Sequence, residues 1–301
     1  HIYSVKDVEA VLEFARQRAI RVVVEFDSPG HTWSWGLGER DLLTPCYGSD
    51  GKANGHFGPI DPTRESSYDF IRKLFREIAA RFADRYLHLG GDEVDFSCWA
   101  SNPAIVQFMA KYGMGNDFAR LESFYVQKLV DIVSDLKKSY IVWQEVFDHN
   151  VTLKSDTVVH VWIGNDTAET WRSEMSRVTA AGYHVVLSAP WYLDLISYGQ
   201  DWRKYYESEP HAFEGTVMQK ALVLGGEAAL WSEFINGANL ITRTWPRAAA
   251  VAERLWSRRE LTRANKAAPR FHANACRMMK LGLRLQPIEG PGWCECDYAL
   301  S

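Results

Sequence analysis

Leu87-His88-Leu89-Gly90-Gly91-Asp92-Glu93-Val94-Asp95 runs from apolar residues through a glycine pair into two adjacent carboxylates. The apolar run reads as a buried strand, and the glycines permit a tight turn at its end. Neighbouring acids repel each other and are costly to hold beside apolar groups. A strand that ends on Asp92 and Glu93 therefore points to chemistry at that end.

The same arrangement recurs outward along the chain. Apolar runs at 21–26, 86–89, 140–143, 158–162, 185–188 and 222–230 read as strands. Helical spacing falls between them, for example at Tyr68, Ile71, Leu74, Phe75, Ile78 and Phe82. A first helix begins at Ser4, whose hydroxyl and Asp7 form a capping box. Residues 32–63, rich in glycine, proline and polar side chains, read as one long functional loop. Strands alternating with helices imply an α/β fold with parallel strands and right-handed crossovers. Polar and aromatic residues crowd the C-terminal end of every strand: His31, Asp92 with Glu93, Trp143 with Glu145, Trp162, Trp191 with Tyr192, and Trp231 with Glu233. One group per strand end is the pattern of a (β/α)8 TIM barrel. Only six strands are visible and the chain opens on a helix. The first two strands are therefore expected to be missing from this stretch or to come from another polypeptide. Residues 1–260 are expected to form the N-terminally incomplete barrel, with a C-terminal helix and disulfide-tied tail over 261–301.

The chain has 301 residues, enough for one large α/β domain or two small ones. Its net charge of -4, with no basic run, argues against nucleic acid as a partner. No apolar stretch is long enough for a membrane span. The first residue is His1, which reads as a processed or trimmed start. The five cysteines show no paired CxxC spacing, so no metal and no other cofactor is expected. Cys46 and Cys98 follow successive strands on the same rim of a barrel, and a disulfide between them is geometrically sensible. Cys276 could tie the last helix to Cys294 or Cys296, leaving one thiol over; Cys276–Cys294 is the pairing expected. Asn150-Val151-Thr152 and Asn165-Asp166-Thr167 are sequons, and with the disulfides they point to a secretory route.

A carboxylic acid beside a carboxylate, among tryptophans, suits glycoside cleavage. One acid must stay protonated to donate to the leaving oxygen, and a neighbouring negative charge raises its pKa. Glu93 as acid and Asp92 as stabiliser is one division of labour, but spacing alone does not fix the order. Other readings are a salt-bridge cluster with arginine or histidine neighbours, or a cyclase-like Gly-Gly-Asp-Glu signature that Val94-Asp95 breaks. His31 could equally be structural. Trp143, Trp162, Trp191 and Trp231, at the ends of successive strands, together favour a sugar pocket.

His88-Leu89-Gly90-Gly91-Asp92-Glu93-Val94 with Cys98-Trp99 resembles the catalytic segment of the family-20 glycoside hydrolases, the β-N-acetylhexosaminidases. Glu25-Phe26-Asp27-Ser28-Pro29-Gly30-His31, Val142-Trp143-Gln144-Glu145, Ser188-Ala189-Pro190-Trp191-Tyr192-Leu193 and Gly225-Gly226-Glu227-Ala228 match as well. Trp245-Pro246-Arg247 and Ala252-Glu253-Arg254-Leu255-Trp256 extend the match over essentially the whole chain, nearest to the animal lysosomal members with their α-type and β-type subunits. The resemblance implies an exo-acting retaining enzyme on terminal β-GlcNAc and β-GalNAc of glycoconjugates. Its nucleophile would be the 2-acetamido oxygen of the substrate, giving an oxazolinium ion; family 20 stands outside the two-carboxylate scheme. Glu93 then matches the general acid/base and Asp92 the carboxylate that orients the acetamido N–H. Tyr192 matches the hydroxyl on the acetamido oxygen, and Trp143, Trp162 and Trp231 the walls around that group. Glu233 and Asp194 match residues that bind sugar hydroxyls, His31 a histidine near the acid, and Trp191 belongs to the same motif. Asp194-Leu195 stands where α-type subunits carry Asn-Arg, which implies a β-like chain suited to neutral sugars. Tyr198 matches a loop residue that reaches a partner subunit, so a homo- or heterodimer in the lysosome or outside the cell is expected. The arginine that the family places on the first barrel strand is not in this chain. The competing readings are a carbohydrate-binding barrel without turnover and a conventional retaining glycosidase with Glu93 as acid and Glu227 as nucleophile.

Overall fold

The computed structural model describes residues 2–164, 168–195, 197, 199–288 and 294. Asn165, Tyr198 and Cys296 lie outside the described residues. The chain divides into two compact units, residues 1–159 and 160–301, taken in turn.

In the N-terminal unit the first helix, Val5–Arg16, starts with the expected reciprocal cap between Ser4 and Asp7. The helices Glu65–Arg81 and Phe118–Asp135 supply the core through Tyr68, Ile71, Phe75 and Ile78, and through Leu121, Tyr125, Leu129 and Val133. Apolar residues at 3–4 spacing give each helix one face to bury, as the sequence implies. Tyr68 and Tyr125 meet across that contact with ring centroids 6.0 Å apart. Two parallel strands, which we number β3 (Tyr86–His88) and β4 (Ser139–Trp143), pair in register from Tyr86 opposite Ser139.

Two expectations need correction here. Residues 32–63 are not one irregular loop: they hold an antiparallel hairpin, β1 (Leu43–Tyr47) and β2 (Ala53–Ile60). Pro45, Gly55, Gly58 and Pro59 hide it, since these residues are depleted in strands, and its register shifts on both sides of Pro45. The expected strand at 21–26 is reduced to one bridge, Glu25 opposite His88. Phe26 N–H donates to His88 O and His88 N–H to Val24 O, both at 3.0 Å. None of Val22, Val23 and Val24 is buried, so apolar burial does not hold the segment along the rest of β3.

The hairpin is stapled to the segment after the acidic pair. Cys46 and Cys98 are disulfide-bonded, with Cα atoms 4.4 Å apart. Gly58 lies so close that an added Cβ would sit 2.4 Å from the Cys98 Cβ. Trp99, fully buried, donates its indole N–H to Thr44 at 3.2 Å. The bridge spans 52 residues, and replacing both cysteines with alanine should cost about 3–4 kcal/mol by loss of the cross-link. Urea unfolding of the double variant checks this; a midpoint equal to the parent's would contradict it.

β5 (Val158–Val161) carries the chain into the C-terminal unit. There β6 (His184–Leu187) and β7 (Val223–Gly226) run parallel. The helix Ala168–Ala180 buries Trp171, Met175 and Val178. The helices Trp202–Glu207 and Ala264–Lys280 are tied by Trp202 stacked on Phe271, centroids 4.3 Å apart. Cys276 is bonded to Cys294. The fold is therefore α/β with parallel strands, and no closed barrel is formed among the described residues. No helix among them is long and apolar enough to cross a membrane.

Candidate active site

In the N-terminal unit the turn after β3 does what the glycine pair implied. Gly90 and Gly91 both take positive φ, 67° and 99°. An added Cβ at Gly90 would fall 1.8 Å from the Asp27 Oδ1. That close approach is used: Gly91 N–H donates to Asp27 Oδ1 at 2.7 Å. Trp143 N–H donates to Gly90 O at 3.0 Å, which fixes the turn against the end of β4.

Three acids converge on His31. Its Nδ1 lies 2.6 Å from Asp27 Oδ2 and 3.8 Å from Asp92 Oδ2, and its Nε2 lies 3.6 Å from Glu93 Oε2. The Asp27 hydrogen bond raises the imidazole to about 9, so at neutral pH it is a cation. Burial, with the Asp27 charge beside it, pushes the Asp92 carboxyl up to about 8. Its buried Oδ1 has no hydrogen-bond partner among the described residues. The Glu93 side chain is 60% exposed. Both His31 and Glu93 sit in the left-handed backbone region, φ 53° and 52°. Strain of this kind costs on the order of 1–3 kcal/mol per residue and concentrates at functional sites.

Glu25 and His88 form a second layer. Trp143 donates its indole N–H to Glu25 at 2.9 Å, and its ring meets His88 at a centroid distance of 4.6 Å. Burial lowers the His88 imidazole to about 3, so it is neutral, and its Nδ1 accepts the Gly90 N–H at 3.1 Å. Asp27, Glu25 and His88 were absent from the sequence-derived site. The Asp27-to-His31 spacing was the available signal for the first, because a carboxylate four residues before a histidine can pair with it. The other two lie inside the matched motifs, but no local spacing gave them a role.

In the C-terminal unit Tyr192 pairs with Ala229 through a backbone bridge, and its ring lies 6.2 Å from that of Trp162. Asp194 is 9% exposed, and its Oδ1 has no hydrogen-bond partner among the described residues. Trp231 is 43% exposed, and Glu233 and Glu227 are exposed. Trp191 departs from expectation. Its side chain has no exposed surface, its indole N–H goes to Tyr205 O at 2.9 Å, and a Cβ on Gly226 would strike its ring. It supports the Tyr192 loop from beneath rather than offering a face to a sugar. Asn150 is exposed in a left-handed turn after the helix Gln144–Asp148, accessible for a glycan.

Two groups approach metal-ligand spacing. One is Asp27, His31 and Asp92, where the His31–Asp27 bond already occupies the donors; the other is His272 with the disulfide-bonded Cys276 and Cys294.

A partly buried acid, an exposed acid and a histidinium at the end of a parallel strand make an acid–base cluster of the kind found in glycoside hydrolases. A family model described as the catalytic domain of glycosyl hydrolase family 20 matches residues 1–259. Relatives include the β-hexosaminidase β subunit of Felis catus, 53% identical over 99% of this chain and 55% of its own length. The α subunit of Mus musculus is 52% identical over 99% of this chain and 56% of its own length. Among solved structures, a chitobiase of Flavobacterium johnsoniae superposes with a TM-score of 0.80 at 28% identity, covering 93% of this chain and 42% of the other. An exo-β-N-acetylglucosaminidase of Vibrio harveyi, solved with N-acetylglucosamine, gives 0.76 at 27% identity, covering 95% of this chain and 46% of the other. The chain belongs to glycosyl hydrolase family 20 and spans about half the length of the curated relatives it matches.

Proposed function

We propose that the protein is an exo-acting, retaining β-N-acetylhexosaminidase that removes terminal β-linked GlcNAc and GalNAc, with the substrate's own acetamido oxygen as nucleophile. The observation that carries this is the His31 cluster, in which Asp92 is partly buried with an unpartnered buried oxygen while Glu93 stays exposed. An exposed carboxyl can give a proton to a leaving oxygen and later take one from water. A partly buried carboxyl with an oxygen free of protein partners can accept an amide N–H, and positive charge developing on that amide draws the carboxyl into its ionised form, which then stabilises the charge. Tyr192 would donate to the acetamido oxygen, Trp143, Trp162 and Trp231 would confine that group, and Asp194 and Glu233 would bind sugar hydroxyls. Confining an internal nucleophile in this way converts a bimolecular attack into a unimolecular one.

Asp194 opposes an anionic sugar, so neutral substrates are the proposed class and the chain is β-like. The parallel strands would belong to an eight-stranded barrel. The exposed apolar face of Val5–Arg16, with Val11 and Phe14 more than half exposed, supports this, since further barrel elements would cover it. The residue boundary near 260 between barrel and C-terminal tail is proposed with it. Identity to both subunit types supports a homo- or heterodimer. The two disulfides and the exposed Asn150 sequon support a lysosomal or secreted location.

Hydrolysis of a chromogenic β-GlcNAc glycoside, compared with the β-glucoside lacking the acetamido group, tests the reading in the protein's complete natural form. Turnover of the first and at least about a thousandfold less of the second is expected, because the nucleophile is absent from the second. Comparable turnover would favour Glu227 as a protein nucleophile, and no turnover of either would favour a binding barrel.

A further inference from the structure

The segment that carries Tyr192 and Asp194 is held on two sides. On one side Leu193 N–H donates to Ala229 O at 2.8 Å and Ala229 N–H to Trp191 O at 3.0 Å. On the other, three successive carbonyls face a pair of guanidiniums. Arg243 Nη2 donates to Leu193 O at 3.1 Å, Asp194 O at 3.3 Å and Leu195 O at 2.7 Å. Arg247 Nη2 donates to Leu193 O as well, and to Arg243 O at 2.6 Å. Arg247 is 1% exposed and is locked in turn by Asp201 at 2.8 Å and Tyr205 Oη at 3.3 Å. Tyr205 closes the circuit, because its carbonyl takes the Trp191 indole N–H.

We infer that Arg243 and Arg247 are positioning residues, a two-guanidinium clamp that sets the Tyr192–Asp194 loop for its acetamido and hydroxyl contacts. This rests on the reaction proposed above. Two features separate a clamp from ordinary packing. Two like charges lie side by side, and among the described residues Asp201 is the one carboxylate bonded to them, an arrangement that packing alone would avoid. Arg243 also bonds the Asp194 carbonyl and not its carboxylate, whose Oδ1 keeps no protein partner among the described residues. The loop is gripped by its main chain, which leaves that side-chain oxygen for a ligand. All three Arg243 contacts come from one nitrogen, Nη2, whose two hydrogens are shared among the three carbonyls.

Arg243→Ala tests the clamp, because it removes three carbonyl contacts while Asp201 keeps Arg247. It is read in the complete protein by hydrogen exchange of residues 191–195 and by inhibitor binding. Exchange there should rise about tenfold, and the inhibition constant of a thiazoline mimic of the oxazolinium should rise about tenfold. An iminosugar lacking the acetamido group keeps only the Asp194 part of the loop's contacts, so its affinity should fall by no more than about threefold, a difference that a general loss of packing would not produce. Arg243→Lys should fall between parent and Arg243→Ala, and it serves if the alanine variant does not fold. Exchange and thiazoline affinity both within about twofold of the parent, or equal losses for the two inhibitors, would overturn the clamp. If the parent fails to cleave β-GlcNAc substrates, the proposed reaction falls, while exchange at 191–195 still decides whether the arginines hold the loop.

Discussion

Glu93→Gln is expected to slow hydrolysis of an unactivated disaccharide by about a thousandfold, within the range that general acids contribute. The same variant should lose far less on a nitrophenyl glycoside, whose leaving group needs little protonation. The reason lies in the geometry: Glu93 is the member of the His31 cluster with an exposed carboxyl, 3.6 Å from a histidinium that can respond to its change of charge. The substituted amide keeps the shape of the side chain but has no proton to give. Steady-state kinetics on the two substrates checks it. Equal losses on both would show that Glu93 does not act as the acid.

Gly90→Ala should have the largest effect on the site's architecture. The left-handed φ of 67° would cost an alanine about 1–2 kcal/mol. The new methyl would also stand 2.6 Å from the Asp27 Cα, a backbone atom that no rotamer change can move. Overpacking of this kind adds about 1–3 kcal/mol. The total, about 2–5 kcal/mol, should appear as a lowered urea midpoint. Activity should collapse with it, since Asp27 would be displaced from Gly91 and His31 together. A variant with the parent's midpoint and activity would show that the turn is not what sets the cluster.

Much of this arrangement could be read from the chain. The strand that ends in Gly90-Gly91-Asp92-Glu93 was legible because an apolar run, glycine punctuation and paired acids agree on one local structure. The long helices were legible because their apolar spacing survives burial. The hairpin at residues 43–60 was not, since Gly58 serves a close approach to Cys98 and Pro45 sits between two register shifts, both at the expense of strand propensity. The strand at 21–26 was overread: its valines signal burial, but in the fold none of them is buried and the segment meets β3 at one bridge. Glu25, Asp201 and Arg247 escaped for a different reason. They act through side chains far apart in sequence, such as Trp143 on Glu25 and Arg247 on Asp201, and no local pattern encodes such pairs. Trp191 shows the converse error, where a motif tryptophan was given a ligand face and the structure uses it as a support.

The central claim is that the nucleophile sits on the substrate, so the decisive measurement is inhibition of β-GlcNAc hydrolysis by the thiazoline mimic of the oxazolinium ion. A transition-state-like intermediate should bind at least about a hundredfold more tightly than substrate. An inhibition constant that far below KM is the predicted result. Hydrolysis that proceeds with no thiazoline sensitivity would contradict it and return the nucleophile to the protein.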